Sequence, residues 1–125
     1  MAKVETKEIL WNAPENIKAY ITTRIGGYSK DRYASSNMSL DVGDLKSSVV
    51  KNREDIQKTL ELPSEPSWMK QIHGTNIQYL KAPRKNIICD GSYTDQQGVV
   101  CAVLSADCLP IMMCDRFGKK VGVLH

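Results

Sequence analysis

The sequence predicts an α/β (α+β) sandwich, a mixed β-sheet with flanking helices that carries a site at its strand ends. Three observations lead there. Short Val- and Ile-rich runs between Gly98 and His125 have the length and composition of strands buried on both faces. Residues 44–62 carry an apolar stripe at helical spacing, Val49, Val50, Ile56 and Leu60, with Lys51, Glu54, Asp55 and Lys58 mostly outward. Three residues able to do chemistry, His73, Cys108 and His125, fall where predicted strands end, and a strand end displays a side chain on a rigid frame.

The stretch from Gly98 to His125 organises the rest. Its three apolar runs are parted by two polar breaks. The first break places Asp107 and Cys108 between strands, and Pro110, which has no backbone N–H, interrupts the ladder there. The second break, residues 115–120, predicts a hairpin turn with Gly118 free to take positive φ. That turn sends the chain back and delivers His125 at the end of the last run, where it can meet Cys108.

Upstream, Ile9-Leu10-Trp11 predicts a short edge strand and residues 17–24 a second strand. Ile25-Gly26-Gly27-Tyr28-Ser29 opens a long loop to about Asp44, a length usually functional or poorly ordered. Glycines beside Arg24 would let backbone N–H groups and the guanidinium approach an anion, or form an ordinary solvated turn. Asp44 or Ser47 is the expected helix cap and Pro63 the stop. Residues 67–72 read as a strand, His73-Gly74-Thr75 as a turn, and residues 76–80 as the returning strand. Residues 81–86 read as a basic, solvated loop. Residues 87–94 lead back to the central stretch, and Asp90, preceding Gly91, reads as a turn residue.

Composition excludes several classes. The hydrophobic fraction of 42% is that of a globular chain. A net charge of +3 is too mild to argue for nucleic acid. No apolar run has the length of a membrane span, and the first residues lack a signal-peptide core, so a cytoplasmic location and no membrane partner are expected. The four cysteines, Cys89, Cys101, Cys108 and Cys114, contain no C-x-x-C pair, which removes zinc-ribbon and thioredoxin motifs. Cys101 and Cys114 sit inside apolar runs and read as small buried hydrophobes.

The chain has two histidines. Imidazole and thiolate are first-choice zinc ligands, and three protein ligands leave the fourth tetrahedral position open. Separations of 35 residues (73 to 108) and 17 (108 to 125) are too long for a local finger, so a sheet has to assemble the site. A cysteine–histidine nucleophile pair without metal fits the same spacing.

Several motifs occur in order: Thr22-Thr23-Arg24-Ile25-Gly26-Gly27-Tyr28-Ser29, Val42-Gly43-Asp44, Asn52-Arg53, Gln71-Ile72-His73-Gly74-Thr75, Asp90-Gly91-Ser92-Tyr93-Thr94 and Ser105-Ala106-Asp107-Cys108-Leu109-Pro110. Together they resemble the laccase-domain family, first described as multicopper polyphenol oxidases and later as purine nucleoside phosphorylases with adenosine deaminase activity. The resemblance runs from about Tyr20 to His125. It implies a fold similar to the catalytic domain of cytotoxic necrotizing factor. It also implies that residues 1–125 are the N-terminal part of a single laccase-like domain continuing beyond His125, in keeping with the last run, which ends without a closing turn.

The resemblance further implies zinc held by His73, Cys108 and His125, with copper the lesser alternative. Arg24, and Asn37 with it, would contact phosphate or substrate, and Asp107 is a candidate proton carrier that reads equally as a turn carboxylate. The expected reaction is phosphorolysis of a purine nucleoside (adenosine, inosine, guanosine or methylthioadenosine), with deamination of adenosine at the same centre. One departure is Asp41, where the family often has histidine. Copper oxidases need many more histidines than two, so a laccase reaction is not expected. Two other readings stand beside this one: a metal-independent cysteine hydrolase acting on a peptidoglycan precursor, and a non-catalytic metal-binding fragment.

Overall fold

Short β-branched stretches broken by glycine, proline and asparagine yield several small sheets in place of one large one. The structure, a computed structural model, describes residues 3–125. It divides into two units, residues up to Leu10 with Ala19–Glu61, and Trp11–Lys18 with Leu62–His125.

In the first unit, β1 (Thr6–Glu8) pairs antiparallel with β2 (Tyr20–Thr22), Lys7 opposite Ile21. The edge strand thus forms before the expected Ile9-Leu10-Trp11, where Leu10 is fully solvated and has nothing to pack against. The second strand is trimmed to the length its three-residue partner can pair. Helix α1 (Lys46–Thr59) buries Val49, Asn52 and Ile56. Neither Asp44 nor Ser47 caps it; Leu45 takes that position. The Asp44 carboxylate instead accepts the Leu45 N–H at 2.8 Å and the Ser29 hydroxyl at 2.6 Å. The long loop is ordered by Asn52, which has no exposure to solvent. Its side chain accepts the Tyr28 N–H at 2.7 Å and donates to Ser29 Oγ at 2.9 Å and to the Asn37 carbonyl at 2.8 Å.

In the second unit, β3 (Met69–Lys70) pairs in parallel with β5 (Ile87–Ile88). The mixed sheet has the order β4-β6-β8-β7, from β4 (Ile77–Tyr79), β6 (Gly91–Thr94), β8 (Val121–Leu124) and β7 (Ile111–Cys114). β4 and β6 are parallel; the other neighbours are antiparallel. The core of this unit is a buried cluster of Met69, Leu80, Ile87, Cys89 and Val123, with Val99, Cys101, Val103 and Met112 packed against it.

The expected hairpin over residues 67–80 does not form. β3 and β4 lie in different sheets, each parallel to one half of residues 87–94. The crossing is pinned by the Cys89 N–H to the Lys70 carbonyl at 3.2 Å and the Asp90 N–H to the Asn76 carbonyl at 3.0 Å. The run after Gly98 is not a strand either. It makes one parallel bridge, Ser67 to Cys101, before the Gln71 side chain takes both backbone groups of Leu104. The last hairpin does form: Asp115 accepts the N–H groups of Lys119 and Lys120, and Gly118 has φ +70°. β7 is only partly buried, and on one face alone: Met112 and Cys114 are half-buried, while Ile111 and Met113 remain nearly half exposed. The helix belongs to the first unit and the mixed sheet to the second, and one α-helix, not several, is present among the described residues. Among the described residues, no helix is long and apolar enough to cross a membrane.

Candidate metal centre

Three segments of the second unit meet at one end of the mixed sheet. His125 follows β8 directly. Gly91 makes this approach possible. It lies opposite Leu124, and a Cβ at Gly91 would stand 2.7 Å from Leu124 Cδ2. His73 lies in the crossing between β3 and β4 and has φ +58°, a left-handed conformation few histidines adopt. Cys108 sits on the exposed loop before β7. The ligand atoms of His73, Cys108 and His125 all lie within 4.8 Å of one another. The two imidazole rings are tilted, with centroids 4.8 Å apart.

Two nitrogens and a sulfur in tetrahedral coordination of zinc stand roughly 3.3–3.6 Å apart. The ligand atoms of the observed set spread up to 4.8 Å from one another, somewhat wider than such a shell. The composition of the set, two imidazoles and one thiol, suits zinc and other borderline metals. The residues therefore fit a metal with one open position. Cys108 is exposed, whereas Cys89 is buried and burial pushes its thiol up, as it does that of Cys101.

Two residues of this region had no expected role in it. Asp90, read from sequence as a turn residue, is 4% exposed and stands under both histidines. Its carboxylate accepts the N–H groups of Ile72 at 3.0 Å, His73 at 2.9 Å and Gly74 at 2.9 Å, and lies 2.8 Å from His125 Nδ1. Burial alone would raise its pKa; the bonds from His125 and from the three amides outweigh burial and bring it to about 2. The signal available in the sequence was a carboxylate directly after the apolar Ile87-Ile88-Cys89. The second is Gln71, whose side chain ties the approach to His73 to Leu104, at the root of the Cys108 loop.

The other expected site residues are placed less distinctively. Asp107 is exposed beside Cys108. Arg24 and Asn37 belong to the first unit. Arg24 is exposed and donates from Nε and Nη2 to the Ala34 carbonyl at 3.3 and 3.2 Å. Asn37 folds its amide onto the Ser39 carbonyl and Asp44. The nearby glycines serve close approach: a Cβ at Gly26 would stand 1.8 Å from the Lys3 carbonyl oxygen.

A family model described as multi-copper polyphenol oxidoreductase laccase matches residues 18–125. The chain belongs to that family. A protein of Escherichia coli K12 named purine nucleoside phosphorylase YfiH is 39% identical over 116 residues, which cover 92% of this chain and 48% of that one. Among solved structures, a Neisseria meningitidis protein of the DUF152 family superposes with a TM-score of 0.84 at 39% identity, covering 96% of this chain and 49% of that one. YlmD from Geobacillus stearothermophilus gives a TM-score of 0.77 at 36% identity over 83% of this chain and 43% of that one. The chain thus spans about half the length of the laccase-family relatives it matches.

Proposed function

We propose that the chain serves zinc-dependent phosphorolysis of purine nucleosides, releasing the base and ribose 1-phosphate, with adenosine deamination at the same centre. The observation that carries this reading is the convergence of His73, Cys108 and His125 within 4.8 Å. Relatives named purine nucleoside phosphorylase support the substrate class.

A metal held by these three side chains supplies Lewis acidity towards an oxygen of phosphate, water or substrate. Asp107, on the loop with Cys108, carries a proton to the departing base. Arg24 and Asn37 hold phosphate through a cation and an amide. In phosphorolysis the bond from the sugar to the base nitrogen breaks, a bond to a phosphate oxygen forms, and the base nitrogen takes up a proton. Zinc suits this chemistry better than copper redox cycling, which needs more histidines than the two in this sequence.

The test is release of base and ribose 1-phosphate from inosine, guanosine, adenosine and methylthioadenosine, with and without phosphate. Release is expected to require phosphate, stop on chelation and return with zinc, and adenosine alone is expected to give inosine without phosphate. Absence of turnover by zinc-loaded protein on every nucleoside defeats the reading. A second reading has one supporting observation, the exposed Cys108 thiol beside two imidazoles: hydrolysis with Cys108 as nucleophile. Chelator-resistant hydrolysis would favour it.

A further inference from the structure

We propose that Asp90 is the positioning residue of the metal centre, one buried carboxylate fixing His73 through its backbone and His125 through its ring. The inference rests on the metal reading above.

Backbone N–H groups can only donate, so the amides of Ile72, His73 and Gly74 make both Asp90 oxygens acceptors. The fourth partner, His125 Nδ1 at 2.8 Å, completes the set as an N–H donor. An imidazole protonated on Nδ1 keeps its lone pair on Nε2, the nitrogen left for a metal. The Asp90 carbonyl also accepts the His125 N–H at 2.8 Å, so backbone and ring of His125 are held by one residue.

His73 is held differently. Three successive amides converge on the carboxylate and wrap the chain around it, which maintains the left-handed φ of +58° at the middle residue. That φ sets where the His73 side chain leaves the backbone. The directions of both histidines therefore depend on a single group. Ligand sites tolerate errors of only about half an ångström, so a group that sets two ligands at once controls affinity.

The test compares wild type with Asp90→Asn and Asp90→Glu in the 125-residue chain. Asn offers one oxygen and turns an N–H towards another N–H. Glu keeps the charge and displaces the oxygens by a methylene. Zinc affinity by chelator competition is expected to fall roughly 10–100-fold in both, and the visible bands of the cobalt(II)-substituted protein are expected to change. Wild-type affinity and spectrum in both variants overturn the proposal, as does full rescue by Glu, which would show that charge alone suffices.

Should the variants fail to fold, ¹⁵N-histidine spectra of the wild-type chain decide. Only two imidazoles contribute, and His73→Gln assigns them. An Nδ1–H tautomer is expected for His125, and an Nε2–H tautomer overturns the proposal. Wild-type protein that does not bind zinc overturns the metal reading instead, and the tautomer then judges the Asp90 clamp by itself.

Discussion

Gln71 and Leu104 are joined at two points: the Gln71 amide nitrogen donates to the Leu104 carbonyl at 2.7 Å, and its oxygen accepts the Leu104 N–H at 2.7 Å. A side chain here substitutes for a strand partner. It fastens the root of the Cys108 loop to the segment that carries His73. Gln71→Ala leaves both Leu104 groups without that partner, at a cost of about 1–3 kcal/mol. Denaturant unfolding is expected to show that loss, and chelator competition a weaker zinc site. Gln78→Ala, which removes an exposed bond to Asn76, is expected to leave zinc affinity unchanged.

The cysteines are expected to separate by function. Under the metal reading Cys108→Ala should abolish both stoichiometric zinc and phosphorolysis, whereas under the hydrolase reading it abolishes activity alone. Full activity in this variant would contradict both readings. Cys101, packed against the core, and Cys114 are expected to cost mainly stability when changed to Ala. Alkylation followed by mass spectrometry should modify exposed Cys108 before buried Cys89, and zinc should protect Cys108.

Those elements whose pattern is local were legible in the sequence. The β7–β8 hairpin follows from residues 115–120, and the meeting of Cys108 with His125 follows from that hairpin. Of the expected stripe on α1, Val49 and Ile56 are buried as its spacing predicts, but Val50 is exposed, Leu60 falls after the helix, and the buried Asn52 lay outside the stripe. What the sequence hid is non-local pairing. Nothing in residues 67–80 announces that the two halves pair in parallel with residues 87–94, because parallel partners are set by contacts far along the chain. Asp90 was hidden for a related reason. An aspartate before glycine looks like a turn until three amides from seventeen or so positions earlier are seen to converge on it.

Two glycines that allow close approach should differ sharply in their tolerance of alanine. At Gly26 a Cβ would stand 1.8 Å from the backbone oxygen of Lys3, at φ +81°, and the backbone cannot yield that much. At Gly91 the nearest atom, 2.7 Å away, is the end of the flexible Leu124 side chain. Gly91→Ala is expected to cost about 1–3 kcal/mol, as overpacking usually does, and to loosen the proposed metal site by displacing the residue before His125. Gly26→Ala is expected to cost more than that and to yield little folded protein. Thermal melts of the two variants give the order, and the reverse order would contradict the close approaches of Gly26 to Lys3 and of Gly91 to Leu124.

Acid should destabilise the fold partly through Asp90. Its carboxyl has a pKa of about 2 in the folded chain against an ordinary value of 3.8, because four N–H partners outweigh the effect of burial. A depressed carboxyl contributes its full stabilisation above its unfolded pKa. As pH falls below 3.8 the unfolded chain takes up the proton first, so stability declines until the folded carboxyl is protonated near 2. Asp44 follows the same sign: burial opposes ionisation, but the bonds from Ser29, Asn37 and Leu45 lower its pKa. Asp90→Asn is therefore expected to show a shallower fall in stability over this window, with the Asp44 contribution still present. Urea unfolding of metal-free protein at steps from about pH 5 to about pH 2 measures it. Equal slopes for wild type and variant would show that the four bonds to Asp90 do not favour its ionised form.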